Sequence, residues 1–193
     1  QHAVQSRAIE RVVVFTDDDE IASAAAHYGA EVLIRPAELA TDDTPTLPVI
    51  QHALRTLDLV RVYQKIVILQ PTSPLRTGSQ VAEAISLLTS SVDAVMSVCL
   101  AEHSPYKMYR IENERLVPFV EGAVQGIPRQ RLPTVYRENG AIYVSWRYVI
   151  EHGSIIGNLT RPFIMDWQSS LDIDTEIDWQ IAELIVRQRE QAV

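Results

Sequence analysis

Short apolar, β-rich runs alternate with amphipathic stretches along most of the chain, and that alternation predicts an α/β protein whose sheet is covered by helices. Residues 11–16 (RVVVFT) read as a near-continuously apolar strand, residues 20–28 as an alanine-rich helix stopped by Gly29, and residues 31–34 as the next strand. The same rhythm gives a helix over 47–57, a buried strand over 65–69 (KIVIL), a helix over 79–88 and a strand over 94–98 (AVMSV). Residues 141–145 (AIYVS) and 160–164 return to strand patterning, and 175–189 close as a helix. Loops at the carboxyl ends of such strands are where open α/β sheets bind ligands.

From 102 to about 140 the rhythm breaks. This stretch is loop-rich and punctuated by prolines, with short β-like pieces at 108–111 and 116–120, and it reads as a binding or dimerisation arm on a regular body. No repeat or linker divides residues 1–193, which read as a single domain carrying that arm. Residues 2–9 look like the tail of a first helix, so the first strand and loop of a doubly wound pattern are expected to lie outside this chain.

Composition narrows the choice of function. With 47% hydrophobic and 22% charged residues, the chain is an ordinary globular protein rather than a disordered one. Its formal charge of −8 argues against general nucleic-acid or anionic-membrane binding, both of which need a surplus of Lys and Arg. Of 17 basic residues only Lys65 and Lys107 are lysines, so carboxylate or phosphate recognition has to lean on arginine forks. A single cysteine, Cys99, excludes an internal disulfide framework and multi-cysteine metal sites, and no apolar run reaches membrane-span length; a cytoplasmic setting is expected.

SLDIDTEID, residues 170–178, packs four acids into the seven residues from Asp172 onward and alternates acid and isoleucine at its start. In an extended segment side chains two apart share a face, so Asp172 and Asp174 present their carboxylates together, with Leu171 and Ile173 on the apolar side. Such a pair suits Mg²⁺, which takes one or two carboxylates and completes its shell with water and phosphate oxygens. Helix capping competes: Thr175 with Asp178 matches a capping box, and acids in a first turn favour the helix dipole, but capping leaves Asp172 unexplained.

Three loops hold the other candidates. LQPTSPLRTG, 69–78, follows the clearest strand and offers Gln70, Thr72, Ser73 and Arg76, either as a substrate rim or as hydroxyls satisfying the loop's own backbone. In RPAELATDDTPT, 35–46, Arg35 stands directly after a strand, where it either contacts a base edge or phosphate or pairs with Glu38, Asp42 or Asp43. PRQRLPTVYRENGAIY gathers Arg129, Arg131 and Arg137 as an anion site, an acidic partner's docking patch or solvated surface, and its Asn139-Gly140 pair reads as a turn between strands. Walker-type, GxGxxG and GxSxG motifs are absent, which leaves dinucleotide redox chemistry and hydrolase triads without support.

Taken together, TDDDEIA, RPAELATDDTPT, LQPTSPLRTG, EHSPYKM, PRQRLP, YRENGAIY and SLDIDTEID resemble successive blocks of the acylneuraminate cytidylyltransferases, the CMP-sialic acid synthetases, from about Arg11 to the last helix. The resemblance implies a three-layer αβα, Rossmann-like fold with a mostly parallel sheet. It also implies a homodimer with shared active sites and a Mg²⁺-dependent reaction of CTP with a nonulosonic acid, giving the CMP-sugar and pyrophosphate. It puts Mg²⁺ on Asp172 and Asp174, brings Arg35, Thr44 and Thr46 to the cytidine, and brings Gln70, Arg137 and Asn139 to the sugar or triphosphate. Lys107 and Arg129 match arm positions offered to the partner subunit's site, and Tyr143 a sugar-contacting or interface tyrosine. Phe15 stands where the family usually has Ser, and Ile155 and Ile156 where some relatives have aromatics. The family's N-terminal strand and basic, glycine-containing CTP-phosphate loop are not in this chain, which therefore reads as N-terminally truncated. A Kdo-type enzyme, one for legionaminic or pseudaminic acid, and a non-catalytic dimerising module are the alternatives.

Overall fold

The computed structural model describes residues 2–6, 8–41, 43–57, 63–122 and 126–191. The elements follow the predicted rhythm: α1 (His2–Gln5), β1 (Val13–Thr16), α2 (Asp19–His27), β2 (Glu31–Ile34), α3 (Thr46–Thr56), β3 (Lys65–Ile68), α4 (Gly78–Leu87) and β4 (Ala94–Leu100). A hairpin of β5 (Tyr109–Glu112) and β6 (Arg115–Pro118) occupies the irregular middle. Then come β7 (Tyr136–Trp146), α5 (Arg147–Glu151), β8 (Thr160–Met165) and α6 (Glu176–Gln191). Helix starts are written locally: Asp18 accepts from Ile21 N at 2.8 Å to open α2, and Thr77 with Gln80 forms a reciprocal capping box on α4.

Four strands form a sheet in the order β3-β7-β4-β8, and β1 and β2 form a separate parallel pair. β7 runs antiparallel to both β3 and β4, while β4 and β8 are parallel. Strands β3, β4 and β8 therefore point one way, as a mostly parallel sheet requires, and β7 alone is reversed. The arm is the reason. The chain leaves β4 at its carboxyl end, makes the hairpin there and re-enters without a helical crossover, so the returning strand has to run backwards.

Period-two alternation divides the sheet into two faces. Val67, Val95, Ile142 and Val144 belong to the core with Val81, Ala84 and Leu88 of the α4 region and Phe163 and Met165 of β8. Their sequence neighbours Ile68, Met96 and Tyr143 line a cavity instead. Burial of nine side chains in this cluster, several of them fully, supplies the main apolar driving force for the sheet.

The Asn139-Gly140 pair is not the turn that the sequence predicts; it lies inside the eleven-residue β7. Met96 faces Tyr143 and Val98 faces Glu138, so two steps along β4 correspond to five along β7. The extra residues form a bulge, and Gly140 sits in it at φ +70°, a conformation only glycine adopts without strain. An Asn-Gly pair serves a bulge as well as a hairpin, because both need positive φ. α1 ends at Gln5, short of the residue 9 expected, and α5 was not foreseen.

Asp93 staples β8's entry to β4. Its carboxylate accepts from Leu159 N and Asn158 N, both at 2.9 Å, and from Tyr148 Oη at 2.9 Å. The bonds from Leu159 and Asn158, then that from Tyr148, hold this carboxyl below the usual aspartate range. A depressed folded value means stability that is present above the unfolded pKa of about 3.9 and lost as pH falls through the lower folded value. Asp93→Asn should therefore lower the melting temperature at pH 7 and flatten its decline between about pH 5 and 3, measured by thermal unfolding across that range.

Candidate functional site

The cavity lies beyond the carboxyl end of β3, on the sheet face opposite the main core, and measures about 260 Å³. Thr46, Gln70, Glu138 and Tyr143 supply its polar lining, and Ile68, Met96, Ile155 and Ile156 its apolar walls. Thr46 is the first residue of α3, so the helix start carries its hydroxyl there. Ser145 Oγ donates to Ile155 O, and Ser154 Oγ accepts from Gly157 N at 2.8 Å; these bonds fold the turn that presents the two isoleucines.

Gln70 belongs to the rim loop, and that loop is locked from within. Arg76 Nη1 donates to Gln70 O at 2.6 Å and Ser73 O at 2.5 Å, and burial pushes its guanidinium down to about 10. Ser73 is fully buried and donates to Asn139 O at 3.3 Å. The Ser73 hydroxyl thus serves the backbone of β7 rather than the loop's own, the Thr77 hydroxyl caps α4, and Gln70 is the polar side chain of this loop that lines the cavity. A methyl group at Gly140 would run into Gln70 Oε1, so the bulge's glycine also leaves room for the rim.

Asn139 points inward. Its Oδ1 accepts from Ser97 Oγ at 2.6 Å and Ala141 N at 3.2 Å, and its Nδ2 donates to Ser170 Oγ at 2.8 Å and to the Met165 sulfur at 3.5 Å. With both oxygen lone pairs and both protons in use, the amide ties β7, β4 and the 168–170 turn together. That turn leads into the acidic stretch.

Residues 171–174 run beside the rim loop, with Ile173 N donating to Thr72 O at 2.8 Å. Leu171 and Ile173 pack with Leu75, Ala182 and Ile185, the apolar side expected of them. Asp172 Oδ1 is buried and has no hydrogen-bond partner among the described residues, whereas Asp174 is exposed. Asp178 accepts from Thr175 N at 2.8 Å and Thr175 Oγ1 at 2.7 Å, and Asp178 N donates back to Thr175 Oγ1 at 3.4 Å, so capping accounts for this half. An unpartnered buried carboxylate oxygen is costly unless something cationic meets it, and this one fits a metal ligand. Among the described residues no cage of three or more His, Cys, Asp or Glu forms, so the fit is to an ion that keeps most of its shell for water and substrate.

Tyr143 Oη donates to a Glu138 carboxylate oxygen. Burial, then Glu138, then the charge of Asp172 push the Tyr143 phenol well above its ordinary value, which keeps it a neutral donor and puts Asp172 within electrostatic reach of the cavity.

The other sequence candidates stand apart from this cavity. Arg35 follows β2, donates from Nη2 to Phe15 O at 2.6 Å and lies over the Phe15 ring at 5.4 Å, while its buried Nε has no partner among the described residues. It makes no ion pair with Glu38 or Asp43, and Asp42 lies outside the described residues. Thr44 Oγ1 is 2.6 Å from Thr41 Oγ1. Lys107 lines a second cavity, in the arm, with Tyr106, Tyr109, Ile127, Pro128 and Leu132. Arg129 donates to Glu102 O at 2.6 Å, and Arg137 is exposed. Glu138 was missed by sequence reasoning. Five positions separate it from Tyr143, which in a regular strand puts the two on opposite faces; the bulge brings them together.

A sheet with three strands pointing one way, a cavity at a strand's carboxyl end and a buried carboxylate oxygen beside it define a Rossmann-like α/β protein with a candidate ligand site at the carboxyl ends of its strands. The chain belongs to the cytidylyltransferase family, whose description matches residues 1–121. It is 34% identical to the CMP-N,N′-diacetyllegionaminic acid synthase of Campylobacter jejuni, over 95% of this chain and 80% of that protein. It is 31% identical to the N-acylneuraminate cytidylyltransferase of Escherichia coli O18:K1:H7, over 97% of this chain but only 44% of that longer protein. The structure of CMP:2-keto-3-deoxy-manno-octonic acid synthetase complexed with CTP superposes with a TM-score of 0.67 at 13% identity, covering 97% of this chain and 85% of that one, which shows the expected fold.

Proposed function

We propose that the protein transfers CMP from CTP to the anomeric hydroxyl of a nonulosonic acid, releasing pyrophosphate. The observation that carries this reading is the joining of Thr46, Gln70 and Tyr143 in one cavity, with the unpartnered oxygen of Asp172 beside it. The hydroxyl attacks the α-phosphorus in line: an O–P bond forms, the α,β-bridging O–P bond breaks, and the hydroxyl proton passes to solvent. Arg35, with its spare Nε–H, and the hydroxyls of Thr44 and Thr46 serve the cytidine side. Gln70 and Tyr143 orient the sugar, and Arg137 meets anionic oxygens. Asp172 and Asp174 would hold Mg²⁺, which when bound supplies positive charge against the phosphate oxygens. Positioning and fixed charge then account for most of the acceleration.

The same reading makes the protein a cytoplasmic homodimer. The hairpin exposes Ile111 and Leu116, paired across its strands, together with Tyr109 and Phe119, an apolar face suited to a second copy. Lys107 and Arg129 in that arm would then approach the partner's cavity. No described helix is long and apolar enough to cross a membrane.

The test is pyrophosphate release from CTP and Mg²⁺ with N-acetylneuraminic acid, N,N′-diacetyllegionaminic acid, pseudaminic acid and 2-keto-3-deoxy-manno-octonic acid, with light scattering on the same sample. Release with a nine-carbon acid and a dimeric mass are expected. Release with the eight-carbon acid alone, or with none, rejects the proposed substrate.

A further inference from the structure

Among the described residues Glu138 is the one charged side chain lining the cavity, and nothing in the proposed chemistry uses it. Its carboxylate accepts from Tyr143 Oη through one oxygen, which leaves the other oxygen and the remaining lone pairs for a ligand. It makes no ion pair among the described residues, so its charge is not cancelled by the protein. Arg137, its neighbour in sequence, points its Nη1 toward the Glu138 carbonyl at 3.5 Å rather than pairing with the carboxylate. Glu138 is exposed at the mouth of the cavity, and the side chains beside it, Ile68, Met96, Ile155 and Ile156, are apolar, so its carboxylate is the charge that an entering ligand meets there.

We infer that Glu138 is a specificity-determining residue that accepts a hydrogen bond from a hydroxyl or amide N–H of the acceptor sugar and excludes the sugar's own carboxylate from this end of the cavity. The inference rests on the proposed transfer to a nonulosonic acid. Such an acid is anionic at C1 and rich in neutral donors along its tail. A carboxylate in the cavity sorts the two ends. The donor-rich tail is bonded, and the C1 carboxylate is turned away from Glu138. The bulge at Gly140 makes this possible by returning Glu138 to the face of Tyr143. Tyr143 holds the carboxylate in place, so less side-chain freedom is lost when the sugar binds.

Glu138→Gln tests it, because the amide keeps the shape and still offers an oxygen to Tyr143. A residue that merely anchors Tyr143 would tolerate the change. Binding of N-acetylneuraminic acid and of N,N′-diacetyllegionaminic acid is measured for both proteins by ligand-observed NMR, with CTP binding by calorimetry and melting temperature as controls. The expected result is a Kd for the acid raised about tenfold or more, since a hydrogen bond to a charged group is lost, with CTP affinity and melting temperature unchanged. Equal Kd values for the two proteins, a loss confined to CTP, or no binding of either acid to the wild type would overturn it. Pyrophosphate release separates this from the parent reading. A wild type that binds the acid without turnover refutes the transfer but leaves Glu138 to be judged on the Kd ratio.

Discussion

Asp172→Asn is expected to abolish the rise in melting temperature that Mg²⁺ produces in the wild type, and to cut CMP transfer by about 10²–10³-fold, the scale on which a single electrostatic contact to a transition state acts. The argument begins with burial. Asp172 Oδ1 is out of reach of water and has no protein donor. Leu171 and Ile173 are pinned in the apolar cluster, and Ile173 N is bonded to Thr72 O, so the segment cannot rotate to expose that oxygen without giving up both. On the proposed reading a bound cation would satisfy it. Asparagine has the same shape but no charge, so it is cheaper to leave there without metal and cannot hold Mg²⁺ when the ion is added. The metal-free melting temperature of the variant should match or exceed that of the wild type. A Mg²⁺ response as large in the variant as in the wild type would remove Asp172 from the metal site. Asp174, being exposed, should show a smaller version of the same change when replaced by asparagine.

The second large effect is structural in origin and reaches the site indirectly. Asn139→Ala strips the buried bonds to Ser97, Ala141 and Ser170 at one stroke and leaves two hydroxyls and an amide without their partner. At about 1–3 kcal/mol for each buried group left unsatisfied, the loss is about 3 kcal/mol or more. For a chain of this size that corresponds to a fall of about 6–12 °C in melting temperature. Ser170 would lose its hold as well, so the segment carrying Asp172 should loosen and the Mg²⁺ response should weaken along with stability. Differential scanning calorimetry with and without Mg²⁺ reads both. A melting temperature within a degree of the wild type would show that water replaces the amide.

What the residue order by itself determined is whatever depends on neighbours close in sequence. The apolar runs at KIVIL and AVMSV, the caps at Asp18, Thr77 and Thr175, and the alternation that sends Leu171 and Ile173 inward are local, and the strands at 65–68 and 94–100 and the helices at 46–56 and 78–87 formed close to their expected bounds, whereas β7 ran longer and α5 was not foreseen. The family was also legible, because seven short blocks in fixed order constrain far more than any one of them. Local periodicity could not show the reversal of β7, because strand direction follows from where the arm returns the chain. Nor could it show which way Asn139 turns or that Glu138 reaches the cavity. Both depend on a bulge whose glycine looks in sequence like an ordinary hairpin turn, and only pairing with β4 distinguishes the two. The unpartnered oxygen of Asp172 belongs to the same class. Spacing proposed the carboxylate, but its neighbours Leu171 and Ile173 are held in part by Thr72 and Leu75, about a hundred residues away, and burial of that kind is decided only when the tertiary structure closes around it.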